Sequence, residues 1–356
     1  MSRHSSFEGR TPVRSRVLQA GLILATLLLP GTLLASGAAF AQTPVRFSLD
    51  WRWEGPAAPF AVALDRGYFK AEGLDVTIDT AAGSREPISR VASGTYDAGF
   101  GDVNSLVRFR DENPGTDIKA VMVMYDRPPF AIIGRRSRGI SPAVSSLAGR
   151  KFGAPVADGA YAQWPIFKAV NKLDDATMKF ENVGFPVREP MLAQGEVDAV
   201  FGFSMSSYIN LKSRGVPAED IVVMLMSDYG VDLYGNTIIV SQKLATEKPE
   251  AVKGLLRAIM RGVQDTVKDP SAAVDSVIKR NDVARKDVEL ERLKMVLDQN
   301  MLTPWVKANG FGGIDKDRFA KALDQIGLTF AYKAKPQVDD VFADAYLPAA
   351  EARKVN

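Results

Sequence analysis

Ala92-Ser93-Gly94-Thr95-Tyr96-Asp97-Ala98-Gly99-Phe100-Gly101 returns in pattern as Ala193-Gln194-Gly195-Glu196-Val197-Asp198-Ala199-Val200-Phe201-Gly202. Both stretches read A-x-G-x-x-D-A-x-F-G, and each follows an Arg-Glu-Pro tripeptide, Arg85-Glu86-Pro87 and Arg188-Glu189-Pro190. Each predicts a helix ended by glycine, then a short buried strand whose last glycine opens into a loop. Chance recurrence of common α/β grammar is one explanation. The other is a pair of similar lobes facing each other. Ligands of open α/β sheets sit outside the carboxyl ends of the strands, so two facing lobes would line one cleft.

Working outward, the chain alternates strand and helix signals. Strands are predicted at 46–49, 75–78, 96–101, 118–124 and 130–134, and helices at 56–66, from 85 onward, and at 103–113. Gly67 closes the first of these helices, and Ser84 is placed to cap the second. A second lobe begins after Ser141-Pro142, with strands at 151–154, 198–203 and 221–226 and a helix running from Gly159 to about Lys172. A strand at 237–241 follows, and Thr246 is placed to cap a helix starting near Lys248-Pro249. The remainder, to Arg353, reads as mostly helical. The alternation implies an α/β fold.

The first segment has a different character. Arg3, Arg10, Arg14 and Arg16 precede an apolar run, and Ala39-Phe40-Ala41 forms an A-x-A signature before Gln42. That layout predicts a cleaved signal peptide over 1–41 and a periplasmic mature protein. A retained membrane anchor is the alternative reading of the same run. The chain has no cysteine, so no lipid-modifiable thiol follows the cleavage point. The leader holds four of the 45 basic and one of the 42 acidic residues, which leaves 41 of each and no net charge beyond it. A nucleic-acid footprint needs clustered excess Lys and Arg, so no nucleic-acid partner is expected. The one histidine, His4, also lies in the leader. The remaining chain therefore lacks Ser-His-Asp triads, Cys nucleophiles and ordinary zinc or haem ligands. It is read as non-enzymatic, without metal or cofactor, although carboxylate or lysine chemistry stays open.

The segment Leu49-Asp50-Trp51, then Phe60-Ala61-Val62-Ala63, then Gly67-Tyr68-Phe69-Lys70-Ala71-Glu72-Gly73-Leu74-Asp75-Val76 resembles the opening of NMT1/THI5-like solute-binding proteins. The two repeated segments fit that pattern, as does Ser145-Ser146-Leu147-Ala148-Gly149-Arg150-Lys151, similar to the family's entry into its second lobe. The resemblance covers residues 46–258 well and the C-terminal remainder only as helical packing. It implies a type II periplasmic-binding-protein fold, with lobe one at 43–140 plus 229–356 and lobe two at 141–228. It also implies lobe closure over a small solute, with the permease and ATPase of an ABC importer as partners and a monomeric chain. One departure stands out. Thiamine-pyrimidine members carry a histidine shortly after the L-D-W motif, where this chain has Arg52-Trp53-Glu54-Gly55-Pro56-Ala57. That argues against the pyrimidine-synthase chemistry of the group and leaves the ligand open.

Candidate contacts follow from position. Trp51 and Trp53 share one side of a strand end and can stack on a flat ligand, or one of them is core. Phe60 has a similar role. Ser84 and Arg85 stand at a helix start, where an anion would be favoured, or where a plain cap and a solvated arginine would serve as well. Asp102 and Asn104 can bond a ring nitrogen or amine, or cap the next helix. Asp126 follows a strand. In lobe two, Asp158, Ala160 and Tyr161 stand between strand and helix, with Trp164 read as core. Phe203, Ser204, Tyr229, Asp232, Tyr234 and Asn236 flank the second crossing. The mixture leans towards a flat heteroaromatic such as a pyrimidine-like thiamine precursor. A sulfonate such as taurine, nitrate or an aromatic carboxylate is close behind. A periplasmic sensor partner is the reading from another class.

Overall fold

The computed structural model describes residues 41–355. All but the last residue of the expected leader lies outside that span. Ten strands form two five-stranded sheets. The first holds β1 (Thr43–Ser48), β2 (Leu74–Asp79), β3 (Ala98–Asp102), β4 (Lys119–Val123) and β10 (Asn236–Val240). Its order is β2-β1-β3-β10-β4, parallel except for β10, which runs antiparallel to both neighbours. The second holds β5 (Phe130–Arg135), β6 (Lys151–Gly153), β7 (Lys179–Glu181), β8 (Ala199–Phe203) and β9 (Ile221–Leu225). Its order is β7-β6-β8-β5-β9, with β5 antiparallel to β8 and β9.

The two orders correspond strand for strand, and the repeated decapeptides occupy equivalent places. Gly94 and Gly195 lie at φ 73° and 81°, just past the helices Glu86–Ala92 and Phe185–Gln194. Only glycine adopts that backbone without strain. Asp97 accepts the Arg46 N–H at 2.8 Å, and Asp198 accepts the Lys151 N–H at 2.9 Å. In each copy the aspartate pins the start of β3 or β8 to its parallel neighbour.

One strand differs from expectation. Residues 130–134, read as part of the first lobe, pair with β8 and β9 of the second sheet. The chain therefore crosses at 124–129 and returns at 226–235. Alternation of strands cannot reveal this, because β5 is a continuous buried run whose sheet is chosen by its partners. Two cap expectations also change. Thr246 lies inside the helix Gln242–Glu247, which Ser241 caps at 3.1 Å, and helix Pro249–Lys268 begins without a side-chain cap. Ser84 caps nothing, because the helix Glu86–Ala92 has Arg85 at its N-cap.

The first sheet is covered by helices from both ends of the chain. Phe47, Phe60 and Phe100 pack at tilted angles in its core, with successive ring centroids 5.3 and 5.4 Å apart. Helix Pro249–Lys268 buries Val252, Leu255, Leu256, Ile259 and Val263, an i, i+3, i+4 stripe facing the helix Ala58–Asp65. Gly262 sets how close the two helices come, since a Cβ there would strike the carbonyl of Pro59. Gly262→Ala is therefore expected to force the helices apart and cost about 1–3 kcal/mol. A denaturant midpoint equal to wild type would show that this approach is slack.

Candidate functional site

The loops at the carboxyl ends of the strands face each other across one cleft. From the first lobe come Asp50, Trp51 and Glu54 after β1, Ser84 after β2, and Tyr125 after β4. From the second come Asp158 and Gly159 after β6, Phe185 and Arg188 on the helix after β7, Phe203 at the end of β8, and Ser206 on the helix that follows it. The free space is about 570 Å³ when the open solvent at its mouth is counted, and only about 50 Å³ of it is wide enough for water, so the facing side chains must part to admit a ring.

Aromatic rings meet across the lobes. Trp51 and Phe185 have centroids 5.0 Å apart and tilted by 59°, and Tyr125 meets Phe203 edge-on at 6.5 Å. The exposed Arg52 lies over the Trp51 ring, 5.3 Å from its centre.

The polar groups are buried and unevenly satisfied. Arg188, 4% exposed, donates to Asp158 at 2.8 Å and to Glu189 at 2.8 Å, and lies 5.5 Å from the Phe185 ring centre. Asp158 also accepts the N–H groups of Ala160 and Tyr161 at 2.7 and 3.2 Å. Burial pushes the Asp158 carboxyl up, against the pull of Arg188 and those bonds. Asp50 accepts the Asn236 amide at 2.9 Å, and burial pushes its carboxyl up to about 7, against its backbone hydrogen bonds and with a further push from Glu54. Burial also raises Glu54, opposed first by Arg292. The Tyr125 phenol is raised well above its ordinary value by burial and by Asp50. The Ser84 hydroxyl and the side-chain amide oxygen of Asn236 are buried without a partner among the described residues, and the hydroxyl faces Gly159 across the cleft. Such groups represent unspent hydrogen-bonding capacity.

Of the residues read from the sequence, Trp51, Ser84, Asp158 and Phe203 line this cleft. The others lie elsewhere, for definite reasons. Trp53 packs against the first core, with Arg280 5.3 Å from its ring centre, and Phe60 is fully buried in that core. Arg85 is exposed and donates to the Val156 carbonyl at 3.1 Å, beside a second groove that Tyr161 also lines. Asp102 caps the helix Val103–Glu112, and Asn104 bonds Asp102 and the Tyr234 carbonyl. Asp126 and Asp232 both bind Arg318, which lies 4.1 Å from the Tyr234 ring centre. Ala160 contributes only its N–H, to Asp158, and Ser204 faces Gln299 at 3.3 Å. Tyr229 donates to the Pro142 carbonyl at 2.8 Å, and Asn236 reaches the site through Asp50. Sequence reasoning missed Asp50, Glu54, Tyr125, Phe185 and Arg188 as site residues. For Arg188 a signal existed. It is the arginine of the second Arg-Glu-Pro, and the reading chose Arg85, that of the first. Arg85 stands at an N-cap, in solvent, whereas Arg188 lies one turn inside its helix and faces the cleft.

The two sheets and the cleft between them have the periplasmic-binding-protein fold. Residues 56–273 match the family model described as NMT1/THI5 like, and the chain belongs to that family. Among curated relatives, a riboflavin-binding protein of Chloroflexus aurantiacus is 25% identical over 299 residues, 82% of each chain. A formylaminopyrimidine-binding protein of Halalkalibacterium halodurans is 28% identical, covering 80% of this chain and 84% of its own. A 4-amino-5-hydroxymethyl-2-methylpyrimidine phosphate synthase of Aspergillus parasiticus is 23% identical over 75% of this chain and 81% of its own. Among solved structures, a Bordetella bronchiseptica protein superposes with a TM-score of 0.68 at 19% identity, covering 86% of this chain and 96% of its own. The alkanesulfonate-binding protein of Xanthomonas axonopodis, bound to MOPS, gives 0.64 at 13% identity, covering 88% and 100%.

Two outcomes follow from the buried charges. Asp50 titrates near 7 in the folded chain instead of 3.8, so the folded state keeps a proton in that window which the unfolded state has released. Its contribution is full below the lower value and is lost as pH rises towards the upper one. Asp50→Asn should therefore flatten the fall in the unfolding midpoint between about pH 4 and 7, and an unchanged slope would clear Asp50 of that role. Arg188→Met strands two buried carboxylates and is expected to cost about 3–5 kcal/mol in denaturant unfolding, whereas a loss near zero would mean the ion cluster is slack.

Proposed function

We propose that this chain is the substrate-binding component of an ABC-type importer and captures a flat nitrogen heterocycle of the pyrimidine class by lobe closure. The observation that carries this reading is the pairing of Trp51 with Phe185 across a cleft walled by the carboxyls of Asp50, Glu54 and Asp158. Parted slightly, those rings offer a slot for a planar ring, and Asp50, Glu54, Ser84 and Asp158 offer edge contacts. The riboflavin- and formylaminopyrimidine-binding relatives support the same chemistry.

Charge weighs against a small oxyanion. A sulfonate or nitrate needs an unspent cation or a cluster of free N–H groups. Of the two arginines lining the cleft, Arg188 is committed to Asp158 and Glu189, and Arg52 is exposed. Three carboxyls line the same space.

Binding without turnover fits a chain whose one histidine is His4 and which has no cysteine. The synthase relatives make turnover the second reading. With the leader removed, the protein would work in the periplasm, as a monomer, with a permease and ATPase. The lobes would move about 124–129 and 226–235, and sensing in place of transport would use the same cleft.

The test is a thermal-shift and calorimetric panel on the chain from Gln42 onward, holding aminopyrimidines, flavins, taurine, alkanesulfonates and nitrate. A bound heterocycle at 100 times its Kd should add about 2.7 kcal/mol, with no new product by mass spectrometry. Trp51→Ala should weaken it by about ten- to hundredfold. Hits confined to sulfonates or nitrate, or conversion of a pyrimidine, would overturn the reading.

A further inference from the structure

Helix Lys286–Val296 runs behind the loop that carries Asp50, Trp51 and Glu54, and it is anchored in the first lobe's core by Leu293 and Val296. The approach is close. A Cβ on Gly55 would enter the backbone of Glu289 and Leu293, and the Gly55 N–H donates to Glu289 Oε2 at 2.6 Å. Arg292, 3% exposed, sets Nη1 3.3 Å from Oε2 of Glu54 and Nε 3.1 Å from Oε2 of Glu289. The same guanidinium reaches the second lobe. Its Nη1 donates to the Ser206 carbonyl at 3.5 Å and its Nη2 to Oδ1 of Asn210 at 3.2 Å. Both acceptors lie on the helix Ser204–Lys212, and Ser206 itself lines the cleft. One buried cation outside the cleft thus touches a cleft carboxylate of one lobe and a cleft-facing helix of the other.

That geometry has a consequence for what the cleft can recognise. An isolated buried carboxyl favours its neutral form, which presents a donor as well as an acceptor. A guanidinium in contact favours the carboxylate, which only accepts. An aminated ring edge, with an exocyclic N–H beside a ring nitrogen, requires an acceptor. We propose that Arg292 is a specificity-determining positioning residue. It does not meet the ligand, but it aims the Glu54 carboxylate at the amino edge of a heterocycle, its guanidinium held in place by Glu289, the Ser206 carbonyl and Asn210. This inference rests on the heterocycle reading above.

The experiment compares 4-amino-2-methylpyrimidine with 2-methylpyrimidine, which lacks the amine, by calorimetry on the chain from Gln42 onward. Wild type should prefer the aminated probe by about tenfold, the scale of one hydrogen bond to a charged group. Arg292→Met should bring that ratio close to one while changing the Kd for 2-methylpyrimidine by less than about threefold. Arg292→Lys, which keeps the charge, should recover part of the preference. In a Glu54→Gln background, Arg292→Met should change the ratio no further, since the two act as one unit. Should the Arg292→Met chain fail to fold by circular dichroism, Arg292→Lys and Glu54→Gln carry the test. An undiminished ratio in Glu54→Gln overturns the proposal. So does a wild-type ratio in Arg292→Met, or equal weakening of both probes, which would make Arg292 a closure strut alone. Wild type binding neither probe overturns the heterocycle reading, and this inference with it. A clear wild-type preference that ignores these substitutions sinks only the role of Arg292.

Discussion

Each sheet is completed by a strand that arrives from the other lobe. β10 enters the first sheet between β3 and β4 after the return crossing, and β5 enters the second between β8 and β9 after the outward one. Without β10, β4 would have no partner among the described strands of its sheet, and β9 depends on β5 in the same way. Backbone pairing leaves few alternatives for a buried strand, because an unpaired N–H or C=O in the core is costly. The two lobes are therefore tied by their own hydrogen-bond ladders, and only the two short crossings are left to bend.

That constraint also brings the site together. The parallel strands of both sheets end at the cleft, and the segments that follow them deliver two aromatic rings and several polar groups from each side. Burial then gives those groups their character. Asp50 is held near neutrality by desolvation, and Glu54 is raised by the same cause against Arg292. Arg188 is neutralised by two carboxylates. The cleft is thus rich in hydrogen-bonding groups and poor in free positive charge, a combination suited to the edge of a heterocycle.

The crossings carry their own bracing. Arg318 bonds the Asp126 side chain and backbone from one crossing and the Asp232 side chain and Leu233 carbonyl from the other. Asp126 also accepts from Thr303 at 2.5 Å. In the sequence Asp126 stood out because it follows a strand, and Asp232 because it flanks the second crossing. In the fold they are structural anchors, bound to the C-terminal helices.

Much of the architecture was legible in the residues. The repeated decapeptide marked two equivalent helix–strand units, and period and glycine placement located most strands to within a few residues. The lack of histidine and cysteine after residue 41 narrowed the expected chemistry, and position at strand ends brought Trp51, Ser84, Asp158 and Phe203 to notice. Those signals are local, and local periodicity and turn chemistry carry them. What only the tertiary structure decided is non-local. It assigned β5 to the second sheet, packed Trp53 against the core and Phe60 into it, and turned Arg188 rather than Arg85 into the cleft. It also placed Arg292, far along the chain, behind Glu54. A sequence states which groups are charged or aromatic. Which of them are buried, which find partners, and which face the same space depends on packing between segments that the sequence does not place side by side.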